Sequence, residues 1–223
     1  MNVIVLDLGR RAYPEVWELQ RRLVNERTVG TTGDTLILVE HEHVITLGRK
    51  TSPENLRPQD VPVFQVERGG DATYHGPGQL VGYPIVKMEV PDVRRFVRAL
   101  EEVLIRTAKS FAVRAGRVEG HPGVWVDDKK LASIGVAVTN WVTYHGFALN
   151  VNTDMSYFNL IRPCGLDPET MTSMQKLLHH EIEMGSVKAE VKKNFSAVFG
   201  ARLTEGPEQQ ATAALMSSAT TKD

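Results

Sequence analysis

The chain holds a single cysteine among 223 residues, so no disulfide can close within it and no multi-cysteine metal framework is possible. No apolar run approaches the roughly 18 residues that a membrane span requires, so no membrane association is expected. Neither sign of charge dominates: 26 Lys and Arg stand against 27 Asp and Glu, a formal net charge of -1. A chain so balanced lacks the global positive field that neutralises a row of phosphates, and nucleic acid is not an expected partner. The opening Met1-Asn2-Val3-Ile4-Val5-Leu6 carries neither the basic stretch nor the cleavage site of a secretory signal, which makes the cytoplasm the expected location. No Gly-Lys-Ser/Thr closes a phosphate loop and no GxGxxG spacing occurs, so nucleotide chemistry is not supported. His41 and His43 form a His-x-His pair and His179 and His180 are adjacent, but no His-x-x-x-His appears. These histidines read as surface or hydrogen-bonded core groups, and no metal is expected.

What remains is an ordinary globular composition, 42% hydrophobic and 24% charged, able to bury a core without covalent staples. Val3 to Leu8 reads as a strand. Pro14 suits a first helical turn and is followed by Val16, Leu19, Leu23 and Val24 at helical spacing. Short β-rich runs follow at Thr35 to Glu40, Val44 to Leu47, Val61 to Val66 and Leu80 to Val86. The clearest helix spans about Asp92 to Ala112, with Val93, Phe96, Val97, Leu100, Leu104, Thr107 and Phe111 as one stripe and Arg94, Arg95, Arg98, Glu101 and Glu102 toward water.

Gly123 to Val126, Lys130 to Val138 and Thr143 to Val151 are further strands, the last two pairing as a hairpin around Asn140. In the middle one, Ile134, Val136 and Val138 alternate with Ser133, Gly135 and Ala137, giving one bulky face and one small face with room for something else. A last helix runs from Ser186, read as its N-cap, to Gly200. This order favours one α+β domain over residues 1–203, a mixed and largely antiparallel sheet covered by helices on one side. Residues 204–223 are too poor in large apolar groups to fold and read as a disordered tail.

Cys164 stands in Arg162-Pro163-Cys164-Gly165, where Pro and Gly break regular structure and favour a surface turn. Two readings stay open, a buried inert thiol or an exposed nucleophile. A free thiol titrates near 8.5, and a reactive thiolate needs a neighbouring cation or helix terminus. Lys130 opens an apolar strand and is a candidate for that cation, although taken alone it reads as a solvated lysine. Arg68 to Gln79 holds four glycines in twelve residues, fit either for a loop whose amides approach a ligand or for two ordinary turns.

Four motifs together, Arg68-Gly-Gly-Asp-Ala-Thr-Tyr-His-Gly-Pro-Gly-Gln79, Lys130-Leu-Ala-Ser-Ile-Gly135, His145-Gly-Phe-Ala-Leu-Asn150 and Pro163-Cys164-Gly165, closely resemble the lipoyl(octanoyl) transferase family in order and spacing. Leu131 and Asp71 fall where that pattern varies. The resemblance implies the biotin and lipoate ligase-like fold and a monomer. It implies transfer of octanoyl from the phosphopantetheine of acyl carrier protein to the lipoyl-domain lysine of 2-oxoacid dehydrogenase complexes or the glycine-cleavage H protein, with no ATP and no metal.

It also implies roles. Cys164 carries the acyl thioester and Lys130 lowers its pKa. Substrate binding falls to Arg68, Gly69, Gly70, Asp71, Ala72, Thr73, Tyr74 and His75, to Ser133, Ile134 and Gly135, and to Gly146, Phe147 and Ala148. An acidic carrier would be steered by a basic patch, with Arg49, Lys50, Arg57 and Arg162 as candidates. The alternatives are an ATP-dependent lipoate-protein ligase on the same fold, which would use no cysteine nucleophile, and a non-catalytic acyl-binding or interaction module.

Overall fold

The computed structural model describes residues 1–51, 56–57, 60–161 and 167–206. Cys164 and Arg162 therefore lie outside the described residues, as does the tail from residue 207 onward.

The strands are β1 (Asn2–Arg11), β2 (Asp34–His41), β3 (Val44–Leu47), β4 (Val63–Gln65), β5 (Thr73–His75), β6 (Gln79–Ile85), β7 (Gly116–Val118), β8 (His121–Val126), β9 (Lys129–Thr139), β10 (Val142–Asn150) and β11 (Arg202–Glu205). The helices are α1 (Tyr13–Val29), α2 (Val93–Ser110), α3 (Met174–Leu178) and α4 (Met184–Phe199). Eight strands form one sheet in the order β11-β1-β2-β6-β10-β9-β8-β7. Its β11, β1 and β2 run parallel and the remaining pairs antiparallel, which gives the mixed α+β sheet expected. A second sheet, β4-β3-β5, stands beside it.

Alternation along the central strands explains the layers. Leu36 and Leu38 of β2 join Val3 and Val5 of β1 in a core with Phe96, Leu100 and Leu104 of α2 and Val191 and Phe195 of α4. Ile37 and Val39, pointing the other way, join Leu6 and Leu8 in a second core with Val16, Leu19 and Leu23 of α1. Helices thus cover both faces, not one: α1 buries its apolar stripe on the face opposite α2 and α4. Each fully buried leucine at these interfaces stabilises the fold by about 1.5 to 3 kcal/mol relative to an exposed one.

The turns follow local chemistry. Asn140 and Trp141 both take positive φ, 49° and 61°, the pair that a two-residue hairpin loop with the right twist demands. Asp92 caps α2 by accepting from Arg95 N at 3.0 Å. The N-cap of α4 is Glu183, not Ser186: its carboxylate accepts from the amides of Gly185 and Ser186, and a charged acceptor suits a helix N-terminus. Gly200 ends α4 in the left-handed conformation.

Two other expectations change. Glu101 does not face water; it is 2% exposed and paired with Arg98 and Arg117. The folded chain also extends past residue 203, because β11 continues through Glu205 opposite Val5. Backbone pairing holds that strand, so its lack of large apolar groups was no guide. Among the described residues, no helix is long and apolar enough to cross a membrane.

Candidate active site

A break in the β8–β9 ladder creates the site. Val124 faces Ala132 while the next residue, Trp125, faces Lys130, so Leu131 is an extra residue in β9. Leu131 and Ala132, though consecutive, both enter the core beneath α2. Such a bulge reverses the parity of a strand. With it, Lys130 joins Ser133 and Gly135 on the wall of a solvent-open cleft. In an unbroken ladder Lys130 would share the face of Ala132 and Ile134. Lys130 is 6% exposed and its Nζ lies 5.4 Å from the centre of the Trp125 ring.

The small face of β9 forms one wall as expected, and Gly146, Phe147 and Ala148 of β10 continue it. The glycine-rich loop forms the opposite wall. Gly69 N donates to Val136 O at 3.0 Å, and a side chain at Gly135 would meet Gly69 O at 3.0 Å and Arg68 Cδ at 3.1 Å, so the loop sits directly on a strand position where any side chain would crowd it.

Arg68 works inside this loop. Its Nη1 donates to Gly69 O and Asp71 O at 3.1 and 2.7 Å, and its Nη2 to Thr46 O and Thr46 Oγ1 at 2.7 and 3.0 Å. The guanidinium thereby ties residues 69–71 to β3. Ala72, Thr73 and His75 also line the cleft, whereas Tyr74 does not. Lying between Thr73 and His75 in an extended strand, Tyr74 turns to the other face, where it packs on Phe158 and its hydroxyl meets His43 Nδ1 at 2.8 Å.

Three residues that the sequence reading left out of the site also line the cleft: Tyr13, Tyr83 and His145. Tyr13 and Tyr83 carried no local signal. His145 opens the His145–Asn150 motif, and its φ of 53° goes with a ring stacked on that of Tyr144 at 4.9 Å. Burial, reinforced by Arg68 and opposed by Glu67, lowers its pKa to about 4. Its Nε2 lies 3.6 Å from Glu67 Oε2, too far for a hydrogen bond.

Burial likewise lowers His41 to about 4 and, with His41 nearby, His75 to about 3. Both rings are therefore neutral, and their partners fix the tautomers. His41 donates from Nδ1 to Arg11 O and accepts at Nε2 from the Tyr83 hydroxyl at 2.9 Å. His75 donates from Nδ1 to Gln79 Oε1 at 2.7 Å, which leaves its Nε2 as an acceptor.

A polar chain runs from His75 back to Lys130. Gln79 Nε2 donates to Asn150 Oδ1, Asn150 Nδ2 to Thr172 O, and Thr172 N to Lys130 O at 3.0 Å. Of the proposed basic patch, Arg49 and Lys50 are exposed and their amides bond Arg68 O and Gly70 O beside the cleft. Arg57 is exposed near Leu160. Among the described residues no group of His, Cys, Asp or Glu is arranged to hold a metal ion.

The sequence matches a family of known proteins. A profile of the lipoyl protein ligase A/B catalytic domain matches residues 12–196. The chain belongs to that family. Within it, the chain is 45% identical over 201 residues to a protein of Rubrobacter xylanophilus named octanoyltransferase, covering 86% of this chain and 91% of that one. It is 46% identical over 196 residues to the octanoyltransferase of Syntrophotalea carbinolica, covering 87% and 93%.

The ligase-like fold recurs in solved structures. A crystal structure of lipoate-protein ligase A bound with ATP superposes with a TM-score of 0.81 at 15% identity, covering 100% of this chain and 96% of that one. Biotin protein ligase from Aquifex aeolicus superposes with a TM-score of 0.52 at 12% identity, covering 97% and 74%. Every wall of the cleft falls within the span that the lipoyl protein ligase family profile matches.

Proposed function

We propose that this cleft is the acyl-transfer site of an octanoyltransferase acting in protein lipoylation, with Cys164 as nucleophile and Lys130 as its cation and proton carrier. The observation that carries the activity is the 45% identity, over 91% of its length, to a relative named octanoyltransferase. The chain is an acyltransferase. What supports the pair is the placement of Lys130 on the cleft wall by the Leu131 bulge, together with the chain that follows Cys164: Met171 bridges Lys130, and Thr172 N bonds its carbonyl.

The Cys164 thiolate attacks the carbonyl carbon of an octanoyl thioester on the phosphopantetheine of acyl carrier protein. The carrier's C–S bond breaks, and its departing thiolate takes a proton from Lys130. In the second half the ε-amine of a lipoyl-domain lysine attacks the Cys164 thioester, loses its proton to Lys130 and keeps the acyl group as an amide. A thioester becomes an amide, a downhill exchange that needs neither ATP nor metal. Ser133, Gly135 and Ala148 give the acyl tail a wall of small side chains, and Arg49 and Lys50 lie where an acidic carrier would approach. The acceptors in this reading are lipoyl domains of 2-oxoacid dehydrogenase complexes and the glycine-cleavage H protein, the enzyme works as a monomer in the cytoplasm, and its catalytic domain runs through β11.

The test is to mix the pure protein with octanoyl-acyl carrier protein, without ATP, and record its intact mass. A single octanoyl adduct, released by hydroxylamine, mapped to Cys164 and chased onto a lipoyl domain, is the expected result. Transfer at the parent rate by Cys164→Ser, or transfer only when ATP is added, overturns it.

A further inference from the structure

The ladder between β7 and β8 is as irregular as that between β8 and β9. Gly116 faces Trp125 but Val118 faces His121, so β8 carries extra residues around Pro122–Val124. The amide of Gly123 donates to Glu101 Oε1 at 3.1 Å, across from α2. Glu101 is itself fixed. Its Oε2 accepts from Arg98 Nη1 and from Arg117 Nε, each at 3.0 Å, and Arg117 is held further by Glu102 at 2.8 Å.

Gly123 in turn touches the lysine. A side chain there would come within 2.7 Å of Lys130 Cε and 3.4 Å of Nζ, and its φ of 129° lies in the region that L side chains rarely adopt. The end of Lys130 thus has the bare backbone of Gly123 and the ring of Trp125 as neighbours.

We propose that Glu101 is a positioning residue for Lys130: by holding the Gly123 amide outside the β7 ladder, it fixes the backbone against which the lysine rests and so sets where the ammonium lies in the cleft. The inference rests on the reading of Lys130 as the partner of the Cys164 thiol. Glu101 touches no substrate in this scheme and acts only through Gly123. A carboxylate held by two arginines suits the task, since a charge-assisted bond to an amide is stronger than a neutral one. Tyr13, Arg68, Asp71, His75, Tyr83 and His145 are the other charged or titratable side chains that line the cleft with Lys130 among the described residues.

The experiment follows the rate of alkylation of the sole cysteine by iodoacetamide from pH 5 to 10 in the full-length protein and its variants, each checked for folding by circular dichroism. The rate tracks the thiolate fraction, so loss of a well-placed cation moves the profile toward higher pH. Lys130→Met sets the full effect. Glu101→Leu, which removes the acceptor for Gly123 N, is expected to slow alkylation at pH 7 by about three- to tenfold. Glu101→Gln keeps an acceptor oxygen and is expected to restore most of the rate. In a Lys130→Met background Glu101→Leu adds nothing.

Should Glu101→Leu not fold, Arg117→Gln replaces it, a partly exposed substitution that frees one anchor of the carboxylate and is expected to shift the profile the same way. A parent-like profile in the folded Glu101→Leu or Arg117→Gln protein, with Lys130→Met shifted, overturns the positioning role alone. An unshifted Lys130→Met overturns the cysteine–lysine reading, and this inference with it.

Discussion

Trp125 stands opposite Lys130 in the β8–β9 ladder, its ring centre 5.4 Å from Nζ. An indole face this close to an ammonium contributes about 0.5 to 2 kcal/mol, more as the site dries. Trp125→Leu is therefore expected to reduce octanoyl transfer roughly two- to thirtyfold, and Trp125→Phe to retain most of the activity. Initial rates with octanoyl-acyl carrier protein and a lipoyl domain measure both; equal rates for leucine and phenylalanine would remove the ring from the account.

Gly82 shares a rung with Phe147, and a methyl group at position 82 would fall within the Phe147 ring. Phe147 is 2% exposed and packs in the core beneath α2, so its ring has little room to yield. Gly82→Ala is expected to destabilise the protein by about 1 to 3 kcal/mol through overpacking. A lower Tm by thermal denaturation measures the loss, and a parent-like Tm would contradict it.

Arg68 contributes its worth as a clamp. Lysine cannot reproduce a planar fork bonded to Gly69, Asp71 and Thr46. Arg68→Lys is expected to cost about 1.5 to 3 kcal/mol, seen as a lower Tm, and to expose residues 69–73 to limited proteolysis. A variant with parent Tm and an uncut loop would contradict this.

His41, His75 and His145 set an acid limit on stability. Their pKa values fall from 6.5 to about 4, 3 and 4 on folding, because burial disfavours the charged ring. Between those values and 6.5 the unfolded chain binds protons that the folded one refuses. Stability is therefore complete above pH 6.5 and declines as pH falls toward 4. Each group contributes up to about 1.4 kcal/mol per pH unit in that window. Urea denaturation at pH 5 to 7 should show this slope, and His41→Gln, which still offers Tyr83 an acceptor, should reduce it by about one proton.

Much of the fold was legible because apolar spacing in α2, β2 and β9 reports burial directly. The motifs were legible because close packing at the cleft favours particular residue types: a side chain at Gly135 would crowd Gly69 O at 3.0 Å. What escaped detection depends on geometry that pattern does not encode. Simple alternation puts Lys130 beside Ala132, and only the bulge at Leu131 separates them. Tyr74 belongs to its motif yet serves a neighbouring core, since strand alternation turns it from the cleft. Tyr13 and Tyr83 come from elements remote in sequence, and β11 is held by backbone bonds that any residue can make.

The pairing of β11 with β1 has a consequence for biosynthesis. Residues 2–5 acquire their outer neighbour only from residues 202–205, so during translation the flank of β1 stays bare until nearly two hundred further residues have emerged. An unpaired strand flank is a template for joining other chains. The interval before β11 docks is thus the period in which nascent copies on one messenger are most prone to stick to each other, and in which a holdase protects them most.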